Sequence, residues 1–223
     1  MNAREVLKEL QRRANPANIA GMARFGINPA TALGISIPNL RALAKQVGHD
    51  HELAGALWDS GIHEARILAC YVADPARVTA RQMENWVRDF DSWDVCDQCC
   101  GNLFDRTRFA WRKAAIWSGR KEEFVRRAGF VLMASLAVHD KAAPDSAFVA
   151  FLPLIERAAS DDRNFVRKAV NWALRQIGKR NRRSHRQAIQ TARNLRRQNT
   201  PSARWIAADA LRELTSDAVK KRL

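Results

Sequence analysis

The chain has 223 residues with 38 basic and 23 acidic side chains, a formal charge of +15 and 47% hydrophobic residues, which suits one packed domain or one short repeat array and excludes a disordered tail. With 10 Gly and 7 Pro it is neither collagen-like nor linker-rich, and its longest apolar run, residues 128–138, falls far short of the ~20 residues a membrane span requires. Four cysteines, three of them crowded at Cys96, Cys99 and Cys100, do not form the spaced framework of a secreted scaffold, and the charged N-terminus has no signal-peptide pattern, so a cytoplasmic protein is expected.

In chain order the apolar period is helical nearly throughout. Val6, Leu7 and Leu10 mark a first helix that ends before Asn15 and Pro16. Breaks at Asn28-Pro29 and at Ser36 to Pro38 lead into a helix carrying Leu40, Leu43, Ala44 and Val47. The next clear stripe, Ile67, Leu68, Tyr71 and Val72, stops at Asp74-Pro75. If Ser92 caps the following helix, Trp93 and Asp97 lie one turn apart on one face, an indole beside a carboxylate. A break at Ala143 to Asp145 precedes the stripe Phe151, Leu154, Ile155 and Ala158, and Thr200-Pro201-Ser202 precedes the last long helix. Each break supplies Asn, Ser, Thr or Asp as an N-cap.

Internal similarity predicts the architecture. Phe124, Val125, Arg126, Arg127 and Ala128 reappear 41 residues later as Phe165, Val166, Arg167, Lys168 and Ala169. Ala173, Leu174 and Arg175 reappear 37 residues later as Ala210, Leu211 and Arg212. Offsets near 40, with two helices per unit, are the mark of HEAT-like repeats. The expected fold is all-α, a curved α-α superhelix (solenoid) of HEAT-like helical repeats forming a single unit over residues 1–223, its inner helices lining a concave face.

The charge is unevenly placed. Residues 1–162 carry 21 basic and 20 acidic side chains, whereas residues 163–223 carry 17 against 3, and residues 163–208 have thirteen basic side chains with no acid among them. Nothing within that stretch neutralises its field, so a polyanion is the expected partner. Nucleic acid is favoured over an anionic membrane because Trp172, Trp205 and a regular helical spacing accompany the charge.

Several chemistries are absent. There is no Gly-rich phosphate loop, no Gly-x-Ser-x-Gly elbow and no His-Glu-x-x-His. Cys96-x-x-Cys99 lacks a second pair to complete a zinc site and the strand–helix context of a redox pair, so these thiols read as core, with no metal and no cofactor expected. By themselves Trp93 and Trp172 read as core, and Arg127 as a solvated or inter-repeat residue. If their helices are successive inner ones, all could project onto one strip.

Taken in order, Gly21-Met-Ala-Arg-Phe25, Leu33-Gly-Ile-x-x-Pro38-x-x-Arg41, Trp93-Asp-x-x-Asp97, Arg127 and Trp172-x-x-Arg175 resemble the AlkD-like DNA glycosylases, the DNA alkylation repair family built from HEAT-like repeats. The resemblance covers most of the chain and implies excision of cationic N3- and N7-alkylated purines from double-stranded DNA by hydrolysis of the N-glycosidic bond, without metal or cofactor. It assigns Asp97, Trp93, Trp172 and Arg127 to catalysis. Independently, a carboxylate suits an oxocarbenium-like sugar, indole faces suit a cationic base, and an arginine suits a phosphate. The basic residues expected on DNA phosphates are Arg127, Arg163, Arg167, Lys168, Arg175, Lys179, Arg180, Arg182 and Arg183. The Cys-rich helix after Asp97 and the Arg-rich C-terminal quarter depart from the family pattern. A non-catalytic module binding branched or distorted DNA is the alternative function, and a protein-binding solenoid a third. No membrane and no obligate protein partner are expected.

Overall fold

A computed structural model describes residues 1–223 as fifteen α-helices and one short 3-10 turn, without β-strands. No helix is long and apolar enough to cross a membrane. The helices gather into two compact units, residues 1–108 and 109–223.

The first unit contains α1 (Ala3–Arg12), α2 (Pro16–Arg24), α3 (Ile37–Val47), α4 (His51–Asp59), α5 (His63–Val72), α6 (Ala80–Arg88) and α7 (Trp93–Asn102), followed by the 3-10 turn Phe104–Arg106. Helix α5 is its hub, packed against α3, α4 and α7. It is buried on nearly every side, including the polar residues His63 and Glu64. Beside it Trp58 and Trp86 stack with ring centroids 4.1 Å apart, and the Trp58 Nε1–H donates to Asp89 at 2.9 Å, so the polar edge of a buried indole is satisfied.

The caps divide by local need. Asn2 forms a reciprocal capping box with Glu5, and Asp50, Thr79 and Thr200 each accept a first-turn N–H, the arrangement expected at such breaks. Asn15, Ser36 and Ser92 occupy the N-cap positions of α2, α3 and α7 but make no such side-chain bond. Pro16 and Pro38 begin α2 and α3 with a preset φ, and the hydroxyl of Ser92 is engaged elsewhere.

The second unit contains α8 (Ala110–Ser118), α9 (Glu123–His139), α10 (Asp145–Val149), α11 (Leu152–Ala158), α12 (Asn164–Gly178), α13 (Arg182–Arg197), α14 (Pro201–Leu214) and α15 (Asp217–Lys220). Helix α9 packs against α8 and α12, and α12 against α14, while α13 lies on α12 and α14 and touches α10 and α11. The 41-residue sequence repeat is the register in which α9 and α12 pair. Phe124 and Phe165 meet with ring centroids 5.6 Å apart, and the Arg127 guanidinium donates to the Phe165 carbonyl at 2.6 Å. Helix α8 comes so close to α9 that a Cβ on Gly129 would lie 2.3 Å from the Ser118 nitrogen. Only glycine permits that approach.

Candidate functional site

Helix α7 has one open strip. Asp94, Val95, Cys96, Cys99 and Cys100 are buried, whereas Trp93 and Asp97 are half-buried, and Gly101 follows them at the same four-residue interval. The expected juxtaposition of indole and carboxylate one turn apart is therefore present on a face that solvent reaches. Three hydrogen bonds fix the start of this helix. The Trp93 Nε1–H donates to the Phe25 carbonyl at 3.0 Å, the Ser92 hydroxyl accepts the Asn28 N–H at 2.8 Å, and Asp91 accepts from the Asn28 amide at 2.8 Å. Trp93 thus tethers the turn that follows α2, and that turn presents the Phe25 ring to solvent at 72% exposure.

The same loop is held from beneath by Glu64, which is 1% exposed. Its carboxylate accepts the backbone N–H groups of Leu33, Gly34 and Ile35 at 2.7, 2.7 and 3.1 Å, so a buried charge is compensated by three aligned dipoles. Gly34 is obligatory in this loop. Its φ is +77°, and a Cβ there would lie 2.1 Å from the Asn15 carbonyl oxygen. Next to Glu64, His63 Nε2 and Asp94 lie 2.9 Å apart, both buried. Burial works against the imidazolium, but the Asp94 carboxylate together with Glu64 and Asp91 outweighs it and leaves the His63 pKa above its ordinary value. Tyr71 donates to Gln98 at 2.6 Å, tying α5 to α7 behind the open strip. Residue type alone marks neither Glu64 nor His63 as structural, because a buried glutamate and a solvated one have the same letter. Phe25 is signalled only by its place in the Gly21 to Phe25 motif.

In the second unit, α12 also has an open strip, on which Trp172 is half-buried between exposed Lys168 and the partly exposed Arg175 and Lys179. Arg127 on α9 is only 5% exposed. Its bond to the Phe165 carbonyl fixes its orientation against the first turn of α12. Trp93 and Asp97 belong to the first unit, Arg127 and Trp172 to the second.

The basic residues sort into committed and open sets. Arg163 pairs with Asp161 at 2.6 Å and donates to the Lys121 carbonyl. Burial would raise the Asp161 carboxyl, but Arg163 holds it below its ordinary range. Arg175 and Lys179 both bind Glu213, and although burial pushes that carboxyl up, the two cations pull it below its usual value. Arg180 lies 3.7 Å from the centroid of the Phe148 ring and donates to the carbonyls of Ala137, Asp140 and Ala143. Burial lowers its pKa. Arg167 packs on the partly exposed Trp205 at 4.6 Å. Lys168, Arg182 and Arg183 are exposed. The acid-free run 163–208 is not free of local neutralisation, because Asp161, Asp209 and Glu213 lie just outside it in sequence but adjacent to it in space.

All four cysteines are buried. Burial, with Cys70 beside Cys99 and Cys96 beside Cys100, holds the Cys99 and Cys100 thiols well above their ordinary pKa, which suppresses the thiolate needed for attack or ligation. No group of three or more His, Cys, Asp or Glu side chains is placed to hold a metal ion.

Comparison with known proteins identifies the family and the fold. A family model described as DNA alkylation repair enzyme matches residues 6–214. A solved structure described as "a new family of proteins related to the HEAT-like repeat DNA glycosylases with affinity for branched DNA structures" superimposes with a TM-score of 0.79 at 18% identity, covering 96% of this chain and 95% of that one. At that identity the likeness establishes the fold, an all-α HEAT-like repeat. A designed armadillo repeat protein, with a TM-score of 0.33 and 10% identity over 96% of this chain and 95% of its own, is too distant to carry an argument. No curated protein matches the sequence.

Proposed function

The chain belongs to the DNA alkylation repair enzyme family, and from that premise we propose that it is a monofunctional DNA glycosylase that hydrolyses the N-glycosidic bond of cationic N3- or N7-alkylated purines in duplex DNA. The observation that carries the reading is the open strip of α7, where Trp93 and Asp97 stand one turn apart, half-buried, on a helix whose opposite face is buried in the core. Loss of an alkylated base leaves positive charge on the sugar. A carboxylate in a partly desolvated position stabilises that charge and orients the attacking water. Asp97 takes this role. Trp93, locked by its bond to the Phe25 carbonyl, offers an indole face to a cationic nucleotide at about 0.5–2 kcal/mol per contact, and the family resemblance gives Trp172 the same role. Arg127, already oriented by the Phe165 carbonyl, supplies a preordered donor for a phosphate next to the lesion. The family positions hold no lysine to act as a Schiff-base nucleophile, so hydrolysis proceeds without strand cleavage.

The test is base release from a duplex carrying N7-methylguanine. Asp97→Asn keeps the size of the side chain and removes its charge, so excision falls by about a hundredfold or more while duplex affinity is unchanged or improved. Undiminished release would remove Asp97 from the reaction. The likeness to a structure described as having affinity for branched DNA favours one alternative, a non-catalytic module for branched DNA. Failure of the wild-type protein to release any base while still binding a junction selects that reading.

A further inference from the structure

The strongest charge that no acidic side chain answers lies on α13, away from the strips described above. This sixteen-residue helix carries Arg182, Arg183, Arg186, Arg193, Arg196 and Arg197, all exposed, and no acid. Arg182 donates to the Leu223 main-chain oxygen at 3.0 Å, and none of the six pairs with an aspartate or glutamate, whereas Arg163, Arg175 and Lys179 all do. The buried residues Ser184, Ala188, Thr191, Ala192 and Leu195 form one row. At about 100° per residue, Arg182, Arg186, Arg193 and Arg197 fall within an arc of roughly 60° centred opposite that row. Because α13 packs on α12 and α14 through its buried row, its arginine row points away from both.

Helix α12 is likewise packed by a broad buried face that includes Val166, Ala169, Val170, Leu174, Ile177 and Gly178, the last against Ala188 of α13, with Lys168 and Trp172 on the opposite side. Two helices joined through their buried rows present their outer rows in opposite directions. Across two helix diameters those rows stand about 20 Å apart. One straight duplex therefore cannot touch both. The arginine row runs for about 22 Å at 1.5 Å per residue, a length over which duplex DNA carries on the order of 13 phosphate charges. Six like charges on one helix repel one another and destabilise it locally, a cost that a polyanion removes.

We propose that the outer face of α13 is a second, sequence-independent phosphate-binding surface that takes a second duplex segment while the first lies on the Trp172 strip of α12. The proposal rests on the reading that the chain acts on DNA, and not on its glycosylase chemistry. A protein with two such faces holds two arms of a bent or branched DNA, or two neighbouring duplexes. Guanidinium groups spaced at four- and seven-residue intervals suit this task, because each bridges phosphate oxygens without reading a base.

The experiment uses the full chain and a 12-base-pair undamaged duplex at low salt, with stoichiometry read by sedimentation. The wild type takes up two duplexes per chain. The triple variant Arg186→Gln, Arg193→Gln, Arg197→Gln takes up one, with the second event weakened at least tenfold, and its helical circular dichroism is unchanged because glutamine is a good helix former. The log–log salt slope of the second event falls by about three units, near 0.9 for each lost phosphate contact. A single duplex per wild-type chain overturns the proposal, as does a variant that still binds two. So does preferential binding of wild type to phosphatidylglycerol vesicles that duplex cannot displace, which would make the face a membrane contact. Base release reports separately: two duplexes bound without excision removes the glycosylase reading and leaves this one standing, while excision with a single duplex does the reverse.

Discussion

Replacing Glu64 by Gln tests whether the loop beneath Phe25 is held by charge. One carboxylate oxygen of Glu64 accepts from Gly34 and Ile35, and the other from Leu33. Glutamine can keep its carbonyl oxygen on the Gly34 and Ile35 side, but its NH2 then faces the Leu33 N–H, donor against donor. The lost charge-assisted bond is worth about 1.5–3 kcal/mol, and the orphaned buried donors cost about 1–3 kcal/mol more, so the loop loses about 3 kcal/mol, near the lower end of a combined range of about 2.5–6 kcal/mol. At 1.4 kcal/mol per tenfold, this is at least about a hundredfold in the local opening equilibrium. Amide hydrogen exchange at Leu33, Gly34 and Ile35 is the assay, since it reports opening of this segment without requiring the whole chain to unfold. Protection of those amides should drop by two orders of magnitude in the variant, with the α13 and α14 amides unaffected. Exchange within about twofold of wild type would mean that loop packing around Gly34, rather than the Glu64 charge, holds the segment.

Trp93→Ala and Trp172→Ala should each reduce excision of cationic N7- or N3-alkylpurines more than they reduce binding to plain duplex, and wild type should leave uracil and 8-oxoguanine in place. A panel of duplexes differing only in the central base checks this, and efficient uracil release would defeat the charge-reading model. The His63–Asp94 pair sets a pH dependence of its own. Because the folded pKa of His63 lies above its ordinary value, the pair's contribution is complete below about pH 6.5 and is lost as pH rises through the folded pKa. Urea unfolding of wild type should accordingly show declining stability across that window, and His63→Gln should flatten it. An unchanged pH profile in the variant would place the dependence elsewhere.

Two kinds of information were legible in the amino-acid order, and both are periodic. The stripes Leu40–Leu43 and Ile67–Leu68 repeat at helical spacing because a helix buries one face, and the Phe124 and Phe165 motifs recur after 41 residues because each helical hairpin must cover the next. The pairing of Trp93 with Asp97 was legible for the same reason: four residues make about one turn. What the order could not show depends on distance through space. Arg175 and Lys179 sit in a run without acids, yet Glu213 neutralises both from more than thirty residues away. Arg180, one basic residue among many, is pinned to three carbonyls and an aromatic ring. Ser92, well placed to cap α7, instead receives the Asn28 N–H across 64 positions. Local spacing determines which face of a helix a side chain occupies. Only the packing of one helix on another determines whether that face meets a carboxylate, a carbonyl or water, and on α13 the arginine row faces solvent.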